Sequence, residues 1–122
     1  MGPYDAVPVP MMGPYDAVRL LRDRFPNLVP LFSDPDNPDL VVPEPYSSYS
    51  RLAEEIRHQR EDRNLVESFC SFINELASSK EYWIEEALGD MLEGLAHNEA
   101  FVLRLRPHLN AQAEEKLKAA KG

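Results

Sequence analysis

The sequence lacks the features that mark a membrane protein, a disulfide-rich protein or a nucleotide-binding enzyme. Cys70 is its single cysteine, so no internal disulfide can form and a reducing cytoplasm is the expected compartment. No apolar run approaches the roughly twenty residues of a membrane span, and no basic-then-apolar signal peptide opens the chain. Five glycines are present, and none belongs to a loop that could cradle a phosphate. We therefore expect a soluble, cytoplasmic protein.

Catalytic signatures are also missing. The chain contains no G-x-S-x-G nucleophile elbow, no H-E-x-x-H motif and no dinucleotide fingerprint. Cys70 lies beside Phe69 on the edge of an apolar stripe, which favours a buried structural thiol. We expect no enzyme activity, no cofactor and no catalytic residue.

Two Glu–His pairs have helical i, i+4 spacing: Glu54 with His58, and Glu93 with His97. Such pairs could hold a metal, but the di-metal helical bundle uses Glu-x-x-His with further inward-facing glutamates, so solvated pairs are favoured. The loop 34–39 resembles a calcium loop, yet Asp39 stands where the motif needs glycine and Pro38 where it needs an oxygen ligand. No metal site is predicted.

Acidic residues outnumber basic ones by 21 to 13, which gives a net charge of -8. A general binder of nucleic acids or anionic membranes needs a basic footprint, so neither partner is expected. Residues 61–99 hold ten acidic side chains against Arg63 and Lys80, so this segment carries the whole excess. The excess can serve a basic partner or simply solubility.

Apolar spacing predicts an all-α protein, a small helical bundle or short α-α stack of about five to six helices. The helices are expected at 14–25, about 45–59, 62–77 and 80–96, then a short one after Asn98 and a last one after Asn110. Ser79, Asn98 and Asn110 are the expected N-caps. In the first helix Tyr15, Val18, Leu21 and Phe25 form the apolar stripe. A long proline-rich loop follows, in which residues 40–42 could form a short extended piece.

The third and fourth helices carry matching apolar stripes and are joined by about three residues, which predicts an antiparallel helical hairpin. Burial is expected to centre on six side chains: Phe69, Ile73, Leu76, Leu88, Leu92 and Leu95. On the fourth helix, Glu86, Asp90 and Glu93 form a ridge opposite the apolar stripe.

An exact repeat stands at the N-terminus, where residues 1–7 recur as residues 12–18. Structural repeats are about 20 to 50 residues long and diverge in sequence, so a seven-residue identical copy is not one of them. We interpret residues 1–11 as a cloning scar or a disordered N-terminal repeat. Residues 12–122 are then a single helical domain that starts at Met12, or at Met11.

Several short motifs carry a family resemblance. They are Leu20-Leu21-Arg22-Asp23-Arg24-Phe25-Pro26, the loop up to Pro45-Tyr46, the core Phe69-Cys70-Ser71-Phe72-Ile73-Asn74-Glu75-Leu76-Ala77, and Leu92-Glu93-Gly94-Leu95. Over residues 19–120 the chain resembles the helical immunity proteins of bacterial polymorphic toxin systems. The resemblance implies binding to one cognate toxin domain, whose active site or cofactor access is blocked. No functional residue is transferred from it.

The sequence hypothesis is therefore a cytoplasmic immunity protein that meets a basic toxin site through Glu86, Asp90 and Glu93. Glu81, Glu85 and the loop 30–46 are secondary contacts. A competing interpretation assigns binding to that loop and to aromatic residues such as Tyr46, Tyr49 or Trp83. Two other functions stay open: a helical adaptor or regulatory module in another pathway, and a small enzyme or metal-binding bundle built on the Glu–His pairs.

Overall fold

A computed structural model of the chain describes residues 13–34, 36–41 and 45–121. The interpretation of residues 1–11 falls outside these ranges. The six α-helices described are α1 (Pro14–Arg24), α2 (Pro45–His58), α3 (Arg63–Ala77), α4 (Tyr82–Ala96), α5 (Glu99–Leu105) and α6 (Ala111–Lys121). Turns of 3-10 helix cover Pro26–Phe32 and Arg106–His108, and two short strands, β1 (Ser33–Asp34) and β2 (Asn37–Val41), lie between α1 and α2. The predicted fold class, a small helical bundle, is confirmed.

Side-chain caps define several helix starts. Asp62 accepts a hydrogen bond from the Leu65 amide, and Asn98 accepts one from the Phe101 amide, each at 3.1 Å. Asn110 caps α6 in the same way. The prediction of Ser79 as the N-cap of α4 was wrong. The helix begins at Tyr82 and its N-cap is Glu81, although the Ser79 hydroxyl accepts a hydrogen bond from the Glu81 amide. Asn98 and Asn110 were predicted correctly because a cap depends on residues three apart.

The proline-rich loop is more regular than predicted. Its first part winds into a 3-10 helix that includes Pro30 and buries Phe32. The second part is an antiparallel hairpin in which Ser33 pairs with Val41 and Asp34 with Asn37. Pro38 lies within β2, and a two-stranded hairpin tolerates it because both strands are edges. The expected extended piece at 40–42 is therefore found up to Val41, while Val42 lies outside the described residues.

Helix α4 is central to the packing. It packs most extensively on α6 and α2 and less on α3. The predicted contact between α3 and α4 is therefore present, but it is not the main contact of α4. All six predicted core residues are buried, with Phe69 and Ile73 completely inaccessible. Tyr15 was predicted on the apolar stripe of α1, but it is 46% exposed, and Ala17, Val18 and Leu21 fill the interface instead.

Tyr49 lies at the centre of the contact between α1 and α2. Its ring is fully buried, packs 6.2 Å from the Phe72 ring, and its hydroxyl donates to the Ala17 carbonyl at 3.0 Å. Burial raises the pKa of this phenol far above its usual value. The buried hydroxyl of Tyr49 thus has a hydrogen-bond partner, as is usual for a tyrosine in a protein core. Among the described helices, none is long and apolar enough to cross a bilayer.

Candidate partner-binding surface

The acidic excess of residues 61–99 divides into two sets in the structure. Side chains of the first set are neutralised locally: Glu75 pairs with Arg24, Glu61 with Arg104, and Glu99 with Lys121. Asp62 serves as the N-cap of α3. The hydrogen bond from Arg24 holds the pKa of Glu75 below its ordinary value. The three ion pairs each balance one negative charge, whereas Asp62 keeps its charge in the role of a helix cap.

The second set lies on α4. Glu85, Glu86, Asp90 and Glu93 are exposed, and none of them forms an ion pair within the described part of the chain. Glu81 is partly buried at the helix cap, where its backbone carbonyl accepts from the Glu85 amide at 2.9 Å. Four acids of the segment without an ion pair among the described residues therefore lie on one helix, whereas Glu67, which is also exposed and forms no such pair, lies on α3.

The ridge Glu86, Asp90 and Glu93 stands opposite the buried stripe of the same helix. Its members are spaced i, i+4 and i+7, while Ile84, Leu88, Leu92 and Leu95 are buried. Like charges at this spacing cost about 0.2–0.5 kcal/mol per pair. The helix keeps this repulsion because its apolar side is anchored between α2 and α6.

Three aromatic side chains adjoin the ridge. The Trp83 ring meets the Tyr82 ring edge-on at 5.3 Å and the Tyr46 ring at 6.3 Å. Tyr46 is the second residue of α2, and Tyr82 and Trp83 are the first two residues of α4, so the cluster joins the N-terminal turns of two helices. Tyr82 is 54% exposed, and the other two rings are partly buried.

Tyr46 connects the aromatic cluster to the ridge. Its hydroxyl lies within electrostatic reach of the Glu86 and Asp90 carboxylates. Partial burial, followed by the two neighbouring carboxylates, raises the pKa of the Tyr46 phenol. The phenol therefore stays protonated near neutral pH and can donate to Glu86.

Acids and aromatics thus form one continuous surface, here called the α4 surface. It consists of the following residues: Tyr46, Tyr82, Trp83, Glu86, Asp90 and Glu93. From the sequence, the acidic ridge and the aromatic residues were alternative binding sites. The structure brings Tyr46 and Trp83 to the ridge, but the suggestion of Tyr49 as a contact was wrong because it is buried. In the described part of the loop 30–46, the 3-10 helix packs on α1 and α2 and β2 packs on α1, whereas Tyr46 at the end of the loop belongs to the α4 surface.

Tyr82 was not among the contacts named by the sequence analysis, although its neighbours Glu81, Trp83 and Glu86 were. The signal was present in part, because Tyr82 falls four residues before Glu86 and so on the same helix face. The contribution of Tyr46 carries no local signal, since it depends on how α2 packs against α4.

The residues considered as metal ligands do not form a cluster. The Glu54 and His58 side chains approach to 3.4 Å on the exposed face of α2, and Glu54 also pairs with Arg57 at 2.7 Å. Within the described ranges, no group of three or more His, Cys, Asp or Glu side chains is placed to hold a metal ion. Cys70 is buried, its thiol faces the Leu105 carbonyl at 3.6 Å, and burial raises its pKa to about 12. The prediction of a buried thiol is confirmed.

Comparisons with protein families, with curated proteins and with solved structures find no match to this chain.

Proposed function

We propose that the chain is an immunity protein of the bacterial cytoplasm, which uses the α4 surface to bind and neutralise a cognate toxin domain with a basic site. The observation that carries the proposal is the exposed ridge of Glu86, Asp90 and Glu93, which has no counter-charge among the described residues. A basic partner turns the mutual repulsion of these carboxylates into attraction.

The aromatic half of the surface supports a protein partner. Tyrosine and tryptophan dominate the energetics of protein interfaces because they bury a large rigid area and still present a polar group. Tyr82, which is 54% exposed, can also contact the lysine and arginine side chains that the carboxylates attract. A surface built for solubility alone needs charge but not an exposed aromatic ring beside it.

The position of the surface is compatible with inhibition by docking. Four clefts on the described part of the protein include no residue of the α4 surface in their linings. An exposed helix face of this kind is an element that can cover the active site of another protein. A toxin that handles nucleic acid has a basic site that such an element can occupy.

Co-expression tests the function. The chain should restore growth to cells that express the toxin domain encoded next to it, and the two purified proteins should form a complex. A catalytically inactive toxin serves as the control for the growth assay. The proposal fails if the chain neither binds nor protects against any toxin domain encoded beside it.

Tyr82 gives a test of the surface that does not depend on charge. Tyr82→Ala should weaken toxin binding by about 1–2 kcal/mol while leaving the fold intact, because the ring is more than half exposed. Tyr15→Ala is the matched control, since Tyr15 is comparably exposed on α1. Isothermal titration calorimetry measures both affinities. Equal affinity of the two variants for the toxin would show that the aromatic cluster is not part of the interface.

A helical adaptor in another pathway would use the same surface with a different basic partner. Growth protection separates the two functions, because an adaptor binds its partner without rescuing cells from a toxin.

A further inference from the structure

A cleft with a cationic lining lies between the end of α2 and α5. Its walls are formed by Arg57, Arg60, Asn98, Ala100, Phe101 and Arg104, and its volume is about 240 Å³. Three of these six residues are arginines and none is acidic. In a chain with a net charge of -8, such a lining is a marked local reversal of charge.

Each arginine of the lining makes a contact within the described residues. Arg60 donates from Nη1 to the Arg57 carbonyl at 3.1 Å, so its side chain lies along the end of α2. Arg104 pairs with Glu61 at 2.9 Å, and Arg57 pairs with Glu54 at 2.7 Å. Asn98 uses its amide oxygen to cap α5, so its amide nitrogen is left as a hydrogen-bond donor.

We infer that this cleft is an anion-binding site that takes the phosphate group of a small molecule. A guanidinium presents five N–H donors in a planar fork, and its pairs with phosphate are frequently bidentate. Three such groups and the Asn98 amide around one small volume supply more donors than the phosphate oxygens need.

The two carboxylates beside the cleft do not occupy all the donors of its arginines. Glu54 and Glu61 are exposed by 57% and 79%, and both stand outside the lining. Ion pairs this exposed to water are weak, so a phosphate with two or three negatively charged oxygens can displace them. Even with both pairs formed, the third guanidinium, that of Arg60, has no carboxylate partner within the described residues.

Size and overall charge restrict the ligand. Clefts for drug-sized molecules measure roughly 300–1,000 Å³, so this smaller volume suits a phosphate on a compact body. A nucleic acid is disfavoured because the net charge of -8 on the chain would repel its backbone.

No residue of the α4 surface lines the cleft. The aromatic end of that surface is distant, because Tyr46 and Arg57 lie eleven residues apart on α2, about 16 Å along a helix that rises 1.5 Å per residue. Glu93 is nearer, since it precedes Asn98 of the lining by five residues. Phosphate binding can nevertheless be measured on the protein alone, without the partner of α4.

Titration with pyrophosphate, followed by the NMR signals of the arginine Nε–H groups, tests the inference. Saturable shifts are expected at Arg57, Arg60 and Arg104. Replacing Arg60 and Arg104 by glutamine should weaken binding by about tenfold or more, because each removes a charge-assisted contact. Circular dichroism confirms that the double variant is folded, which is expected because both side chains are exposed.

Arg19→Gln is the matched control, since it removes one exposed arginine on α1. It should leave pyrophosphate affinity unchanged. Shifts of equal size at Arg19, Arg22 and Arg51, or unchanged binding by a folded Arg60→Gln/Arg104→Gln protein, would overturn the proposal. Single-stranded oligonucleotide that competes better than pyrophosphate would also overturn it in favour of a nucleic-acid ligand.

Discussion

Asn74 links α3 to the turn before α6 through both ends of its side-chain amide. Its nitrogen donates to the His108 carbonyl at 3.0 Å, and its oxygen accepts from the Asn110 amide at 2.9 Å. The Asn110 side chain in turn caps α6. One partly buried side chain thereby fixes where α6 starts relative to α3.

Asn74→Ala should lower the free energy of unfolding by about 1–2 kcal/mol, because two hydrogen bonds are lost at about 0.5–1.5 kcal/mol each. Urea denaturation measures the change. Asn64→Ala, at an exposed position near the start of the same helix, should change stability by less than about 0.5 kcal/mol. A similar effect in both variants would show that Asn74 is not a link between the helices.

Phe69 represents the buried stripe of α3. Its side chain is completely inaccessible, and Cys70, Phe72 and Ile73 around it are buried as well. Truncation leaves a cavity that a close-packed core cannot refill.

Phe69→Ala should cost about 3–5 kcal/mol in the free energy of unfolding. The nearby exposed Ser71→Ala provides the control on the same helix and should be close to neutral. Chemical denaturation of the two variants compares them directly. A loss below about 1 kcal/mol for Phe69→Ala would contradict the assignment of this face to the core.

Helix α4 contains two glycines that serve no packing purpose. Gly89 and Gly94 are both exposed, and a Cβ built at either position meets nothing within 4 Å. Glycine inside a helix costs about 0.5–1 kcal/mol relative to alanine, because its unfolded backbone has more freedom to lose. The helix that carries the acidic ridge is therefore less stable than it could be.

Gly89→Ala and Gly94→Ala should each raise the free energy of unfolding by about 0.5–1 kcal/mol. Thermal denaturation shows the gain as a higher midpoint. The two effects should add, because the positions face solvent and share no contact. A fall in stability with either alanine would mean that the exposed face of α4 is packed against another part of the chain.

Local patterns predicted most of the helical framework, because periodicity and caps depend on residues at most four apart. They indicated the buried stripes of α3 and α4 and the caps at Asn98 and Asn110. They misplaced Tyr15, because which side of α1 is buried depends on where α2 packs. The grouping of Tyr46 with Glu86 and the arginine cleft both join separate helices, so no local pattern could reveal them.

Across the entire chain, charge is distributed according to two roles. Glu75 on α3, Glu99 on α5 and Glu61 after α2 form ion pairs and Asp62 caps α3, whereas Glu67 on α3 and four acids on the outer face of α4 form no ion pair among the described residues. Interface charges that face solvent govern association rate and its salt dependence more than final affinity. The proposed docking surface therefore has a kinetic signature.

The most direct test compares two triple charge reversals that change the net charge equally. The first replaces Glu86, Asp90 and Glu93 by lysine, and the second replaces Asp23, Glu67 and Glu115, which are exposed on α1, α3 and α6. Surface plasmon resonance at several salt concentrations measures binding to the toxin domain, and circular dichroism confirms the fold. We expect the first variant to associate at least about tenfold more slowly and to lose the steep salt dependence of the wild type, while the second keeps both. A folded first variant that binds and protects as well as the wild type would contradict docking through the α4 surface.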